Sequence, residues 1–272
     1  KRKIRINMNL INTILECNRN NRTCFISYVT CGDPNIKTSG KILETLAING
    51  VDIIELGIPF SDPISDGPTI QKATERSLKN KTNIDHSLAM IKKFRNNYET
   101  PIILFGYFNP FLQYGLKKVM RSIKKVGGDG VLIVDLPPEE AEEAQTAANE
   151  AGIELVYLLA PTSTEERINI VSKLSNSFIY LVSVTGVTGA RKSLDVDLKK
   201  FIRKVKRKTK RPVCVGFGIS NVSHVNELKK LANGIIIGSA IIKLIEEGLK
   251  NKGEMLKKIE RFVRKIKKAT FI

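Results

Sequence analysis

Eight short runs of apolar, largely β-branched residues recur along this chain, and each is followed by a longer segment with apolar residues at helical spacing. The runs are CFISYVT (24–30), VDIIELG (51–57), PIILFGYF (101–108), GVLIVDL (130–136), ELVYLLA (154–160), FIYLVSV (178–184), PVCVGFGI (212–219) and GIIIGSA (234–240). The amphipathic segments lie around 38–49, 68–97, 111–126, 138–151, 164–175, 194–208, 221–231 and 241–268. A strand that is apolar on both faces must be covered on both, and right-handed strand–helix–strand crossovers supply that cover. Eight such units predict an α/β fold, a (βα)8 TIM barrel formed as a single domain over residues 1–272. An open, doubly wound sheet is the competing arrangement, but no G-x-G-x-x-G follows the first run. Leu10, Ile11, Ile14 and Leu15 predict an extra N-terminal helix that caps the barrel floor. Residues 1–9 read as a basic N-terminal arm, disordered or trimmed.

Composition excludes several classes. Hydrophobic residues make up 42% of the chain, too many for a disordered polymer. No apolar run approaches the ~18 residues of a membrane span, and no apolar stretch near the start reads as a secretory signal. The four cysteines, Cys17, Cys24, Cys31 and Cys214, form no C-x-x-C pair, so reduced thiols in a soluble intracellular protein are expected. Lys+Arg number 45 against 27 Asp+Glu, a net +18, concentrated in KKFIRKVKRKTKR (199–211) and LKKIERFVRKIKK (256–268). Leu198, Ile202 and Val205, and then Leu256, Ile259, Val263 and Ile266, give these stretches one apolar stripe each, so they read as helices with solvated cationic faces. No helix-turn-helix, zinc-finger or aromatic RNA-binding pattern accompanies them, so neither a nucleic acid nor a membrane is an expected partner. The heavy use of Lys, Ile and Asn matches an AT-rich genome; a plastid stroma and a bacterial cytoplasm are both open as locations.

In a barrel of this kind chemistry sits at the carboxyl ends of the strands. Glu55 lies in the second run, on the same face as Ile53 and Gly57; Asp135 ends the fourth, on the face of Val131 and Ile133; Asp62 and Asp66 follow in GIPFSDPISDGP. A carboxylate inside an apolar strand resists ionisation, so its pKa moves toward neutrality, where it can exchange protons. The structural alternatives are an ion pair for Glu55, an ordinary turn or helix cap for Asp66, and a cap on the next helix for Asp135. No run carries a Lys, which argues against a Schiff-base nucleophile on a strand, and His86 and His224 fall in helical segments, where neither a metal cluster nor a catalytic triad assembles. Acid–base work by carboxylates is the chemistry left. Glycines in GFGIS (216–220) and IGSAI (237–241), with Ser239 as a helix cap, predict an anion site after strands seven and eight, and hence a phosphorylated substrate. The segment TGVTGARKS (185–193), containing Arg191, reads as a mobile lid.

VDIIELGIPFSDPISDGPTIQ (51–71) resembles the signature of the tryptophan synthase alpha subunit family, and YVTCGDP, FGYFNPFLQYG, VDLPPEE, VTGVTGAR, GFGIS and IGSAI follow in that family's order and spacing. The resemblance runs from about residue 10 to the C-terminus. It implies retro-aldol cleavage of indole-3-glycerol phosphate to indole and glyceraldehyde 3-phosphate, with no metal and no cofactor in this chain. By position it implies Glu55 as the proton relay between the glycerol hydroxyl and indole C3, and Asp66 as acceptor of the indole N–H proton. Tyr28, Tyr107 and Tyr180 match pocket positions, Thr188 a lid residue that meets Asp66, and Gly189, Gly218, Gly238 and Ser239 the phosphate site. Pro59, Phe60, Asp62 and Asn109 match loops that dock a pyridoxal-phosphate beta subunit in an alpha2-beta2 tetramer, which takes the indole onward to tryptophan. A freestanding lyase, or a weakly catalytic subunit that activates a beta partner, are the alternatives. Ser27, Cys31, Ile64 and Ser65 depart from the family's usual residues without removing a carboxylate or a phosphate-site glycine.

Overall fold

The computed structural model describes residues 9–182, 196–216 and 218–272. Eight parallel strands close into a barrel in chain order: β1 (Cys24–Thr30), β2 (Ile53–Gly57), β3 (Ile102–Gly106), β4 (Gly130–Ile133), β5 (Glu154–Leu159), β6 (Ile179–Val182), β7 (Val213–Gly216) and β8 (Gly234–Ile237). Around them, among the described residues, lie α1 (Leu10–Arg19), α2 (Ile36–Ile48), α3 (Pro68–Lys79), α4 (Ile84–Phe94), α5 (Phe108–Tyr114), α6 (Leu116–Val126), α7 (Glu142–Ala151), α8 (Glu165–Leu174), α9 (Val196–Lys208), α10 (Val222–Leu228), α11 (Ser239–Glu247) and α12 (Lys252–Ala269).

Strand parity divides the apolar residues between two cores. Ile26, Ile53, Ile103, Leu132, Val156 and Ile236 fill the lumen, while Phe25, Ile54, Leu104, Val131, Leu155 and Ile235 face the helices. The lumen is plugged from below by α1. Asn9 caps that helix by accepting the Asn12 N–H at 2.8 Å, and Leu10, Ile14 and Cys17 are its buried stripe. Leu10 seats against β4 where Gly130 leaves room, since a Cβ there would stand 2.6 Å from the Leu10 Cδ1. Leu15, expected on the buried face, is 36% exposed. It lies only one position beyond Ile14, about 100° round the helix and off the narrow stripe.

Four segments expected as continuous helices are broken; in 138–151 a 3₁₀ turn, Pro138–Glu140, precedes α7. The 68–97 stretch divides at Asn80–Lys81, where Lys81 takes φ 55°, and the 111–126 stretch at Gly115, φ 91°. The last, 241–268, divides after Gly248, and Asn251 restarts the chain as a new N-cap for α12. In each case the apolar periodicity carries across the break because both pieces pack on the same barrel. The basic helices behave as expected: Leu198, Ile202 and Val205 of α9, and Ile259, Val263 and Ile266 of α12, are buried beneath cationic outer faces. Among the described residues no helix is long and apolar enough to cross a membrane.

Candidate active site

Glu55 sits in the middle of β2, paired laterally with Tyr28 on β1 and Ile103 on β3, and its parity aims it into the lumen. It is wholly buried, and neither carboxylate oxygen has a hydrogen-bond partner among the described residues. Burial pushes its pKa up to about 8, so at neutral pH it holds a proton it can give away. An ion pair, the structural alternative, is not formed with any described residue. Two glycines make room for the aromatic groups beside it. A Cβ at Gly57 would collide with the Tyr28 hydroxyl, and one at Gly216 with the Tyr180 hydroxyl.

Asp66 lies in the loop between β2 and α3, and two aligned groups hold that loop. The Tyr107 hydroxyl accepts the Ser65 N–H at 3.1 Å and hydrogen-bonds the Asp66 carboxylate, while Gln71 Nε2 donates to the Asp66 backbone oxygen at 2.8 Å. Burial raises the Asp66 pKa to about 6, with the Tyr107 bond pulling the other way, so it is mostly ionised at neutral pH. It is not a helix cap: Gly67 occupies that place, with no side-chain bond to the helix. Both acids act on the same tyrosines. After burial, the charges of Asp66 and Glu55 push up the Tyr28 hydroxyl, and those of Glu55 and Asp66 push up Tyr180.

A cavity of ≈ 160 Å³ opens over this layer, lined by Tyr28, Glu55, Phe105 and Tyr180 on one side and by Gly218, Gly238 and Ser239 on the other. Apolar cavities of about 150 Å³ accept a single aromatic ring. Phe105, unremarked in the sequence, meets Tyr28 edge-on with centroids 5.1 Å apart; the parity it shares with Ile103 was the signal for it. The far wall is the start of α11. The sequence suggested Ser239 as the cap of that helix, but Gly238 takes the cap position and makes no side-chain bond. The helix begins one residue earlier because β8 already ends at Ile237, leaving Ser239 in the first turn with its free N–H end toward the cavity. Gly218 holds φ +57°, a left-handed conformation that other residues enter at a cost, with open space where a Cβ would point. Thr188, Gly189 and Arg191 lie outside the described residues.

The family model described as "Tryptophan synthase alpha chain" matches residues 14–271. The chain belongs to the tryptophan synthase alpha chain family. A tryptophan synthase alpha chain of Geotalea uraniireducens is 44% identical over 229 residues, 84% of this chain and 86% of that one. The crystal structure of the tryptophan synthase alpha subunit of Legionella pneumophila superposes with a TM-score of 0.89 at 34% identity, covering 97% of this chain and 98% of that one. A chain of the tryptophan synthase complex from Pyrococcus furiosus superposes with a TM-score of 0.83 at 36% identity, covering 90% and 98%.

The remaining positions suggested by the alpha chain family gather at the rim. Phe60 packs on Tyr107 with ring centroids 5.4 Å apart, next to the buried Pro59 and the exposed Asp62. Asn109 is exposed on the first turn of the adjacent α5. Ile64, at the tip of the same loop, is 83% exposed, an apolar side chain standing in water. Asp135 is not part of the pocket: its parity turns it outward, where it accepts the Phe108 N–H at 2.7 Å and so steadies α5 rather than the next helix. His86 and His224 stand on α4 and α10, away from the cavity wall. Among the described residues, Cys17, Cys24 and Asp52 bring possible ligand atoms within 4.8 Å of one another at the barrel floor. The Asp52 oxygens there already serve Arg22, Lys267 and the Phe25 N–H.

Proposed function

We propose that this chain is a carbon–carbon lyase of tryptophan biosynthesis that cleaves indole-3-glycerol phosphate to indole and glyceraldehyde 3-phosphate. The observation that carries the proposal is a pair of carboxyl groups beside the same two tyrosines, Tyr28 and Tyr180: Glu55 in the wall of the aromatic-lined cavity with its pKa at about 8, and Asp66 in the neighbouring loop with its pKa at about 6. Near pH 7 the first is an acid and the second a base. The indole ring would lie among Tyr28, Phe105 and Tyr180, with the phosphate at Gly218, Gly238 and Ser239, where free N–H groups and the helix dipole favour an anion.

The proton balance closes without a cofactor in this chain. Glu55 donates its proton to indole C3 while Asp66 takes the proton from the ring nitrogen, leaving the 3H-tautomer. Glu55, now a carboxylate, removes the proton from the adjacent glycerol hydroxyl. The C–C bond breaks, its electron pair flows into the ring, and the nitrogen recovers its proton from Asp66. Both acids finish as they began. Well-placed proton transfers of this kind are each worth ~10²- to 10⁴-fold in rate.

The rim formed by Pro59, Phe60, Asp62 and Asn109 is read as the surface that docks a beta subunit, in an alpha2-beta2 tetramer whose beta chain carries the pyridoxal phosphate. Its closeness to Asp66 through the Phe60–Tyr107 contact supports that reading. The same reading takes a bacterial cytoplasm or plastid stroma as the site of action. Indole release from indole-3-glycerol phosphate, with and without a beta subunit, tests the proposal in wild type, Glu55→Gln and Asp66→Asn. Turnover that rises with the beta subunit and collapses in both variants is expected; a wild type inactive even with its partner refutes it.

A further inference from the structure

The two ends of the proposed site are carried by neighbouring helices. Asp66 stands two residues before α3, α11 begins at Ser239, and the two helices pack against each other. Arg76, on the last turns of α3, lies at their junction. Its guanidinium forms a fork on Asp33, Nε donating to Oδ1 at 2.7 Å and Nη2 to Oδ2 at 2.9 Å. Asp33 lies three residues after β1, its side chain fully buried. The third nitrogen, Nη1, stands 3.8 Å from Glu246 Oε1 near the end of α11, and Lys72 Nζ approaches the same oxygen at 3.4 Å. One residue before Lys72, Gln71 holds the Asp66 backbone oxygen. Ile70, one residue earlier again, is in the cavity wall together with Ser239. A chain of direct contacts therefore runs from the anion end of the cavity, through α11, Glu246, Arg76 and α3, to the Asp66 loop.

We propose that Arg76 is a positioning residue that couples anion binding at the start of α11 to the placement of Asp66, with Asp33 as its fixed anchor; this rests on the phosphate end assigned above. The chemistry suits such a role. A bidentate guanidinium–carboxylate pair fixes direction as well as distance, which a lysine cannot reproduce. Asp33 cannot shed its demand for a partner, because a buried carboxylate left without its cation is strongly destabilising. Asp33 therefore holds Arg76 in place, while the looser and partly exposed Glu246 contact is the one that can lengthen or shorten as α11 takes up its anion. Arg76 turns that movement into a movement of α3, and so of Asp66.

The test measures indole formation across pH, and competitive inhibition by glycerol 3-phosphate, for wild type, Arg76→Lys, Arg76→Gln and Glu246→Gln, with folding checked by circular dichroism. The acidic limb of kcat/KM reports Asp66 in the free enzyme, and that of kcat reports it with substrate bound. In the wild type these limbs are expected to differ. In Glu246→Gln, a change at a partly exposed side chain that leaves the fold intact, they are expected to converge, with glycerol 3-phosphate binding weaker by about 3-fold. Arg76→Gln is expected to lower kcat on the order of 100-fold, the usual cost of misplacing a catalytic group by about 1 Å, and Arg76→Lys to recover only part of it. A purely structural bond would lower the melting temperature of the Arg76 variants and leave kcat, KM and both limbs of the folded protein unchanged; that result overturns the proposal, as does a wild type whose limbs coincide. A wild type that forms no indole, or is not inhibited by glycerol 3-phosphate, instead refutes the phosphate reading on which the proposal rests.

Discussion

Replacing Glu55 by Gln should make the protein more stable while abolishing its chemistry, and the size of the effect should depend on pH in a calculable way. Gln is nearly isosteric with a protonated Glu, and Glu55 has no hydrogen-bond partner among the described residues for the substitution to break. The substitution therefore removes little except the demand to ionise. The folded pKa, about 8, lies above the ordinary 4.5, so the unfolded chain gives up its proton first and stability falls as pH rises between these values. Below about pH 4.5 Glu55 is protonated in the folded and the unfolded state alike, and the two proteins should be equally stable. Above it the gap grows by ~1.4 kcal/mol per pH unit, reaching roughly 3 kcal/mol at pH 7 and levelling near 5 above pH 8. The side chain is wholly buried, so solvent screening does not reduce these figures. For a chain of this size, 3 kcal/mol corresponds to a rise in melting temperature of roughly 5 °C. The chain contains no Trp, so urea and thermal unfolding are best followed by far-ultraviolet circular dichroism, at pH 5, 6, 7 and 8. Asp66 and Glu154, also raised by burial, titrate in both proteins and cancel in the difference. A gap that does not change with pH, or a variant less stable at pH 7, would refute the reasoning, because either requires a native counter-charge beside Glu55.

The kcat/KM profile should be bell-shaped, rising through about pH 6 as Asp66 ionises and falling through about pH 8 as Glu55 loses its proton. Asp66→Asn should remove the acidic limb together with ~10²- to 10⁴-fold of the rate; a variant that keeps the limb would assign it to another group. Gly216→Ala drives a methyl into the Tyr180 ring, and is expected to cost ~1–3 kcal/mol in urea unfolding and to lower kcat; unchanged unfolding would mean that the ring moves aside freely. At Gly218, where a Cβ meets open space but φ is +57°, Ala should cost ~1–2 kcal/mol and weaken inhibition by glycerol 3-phosphate, measured by steady-state competition.

Much of the fold is written locally. The strand runs are fully apolar because both faces of each strand are buried, and β1 forms over the very span that its composition marks, Cys24–Thr30. The inward aim of Glu55 is likewise legible, since the period of two places it with Ile53 whatever lies across the barrel. The helix breaks at Lys81, Gly115 and Gly248 were not, because apolar spacing records which face is buried and says nothing of whether the axis is continuous. Asp66 was legible as a candidate from its place after the second strand, but D-G-P is also ordinary turn chemistry, and only the family resemblance chose between the two.

The sequence by itself determined the order of elements, the closed barrel and the identity of the inward carboxylate, because these depend on periodicities spanning a few residues. Only the tertiary structure decided what the carboxylates experience. Tyr107 reaches Asp66 across 41 positions and Arg76 reaches Asp33 across 43. The pKa of Glu55 is set by its complete burial among the strands, with no partner among the described residues to offset it. Such contacts follow from barrel closure, which brings distant strand ends to one rim, and no local pattern in the chain encodes which of them will meet.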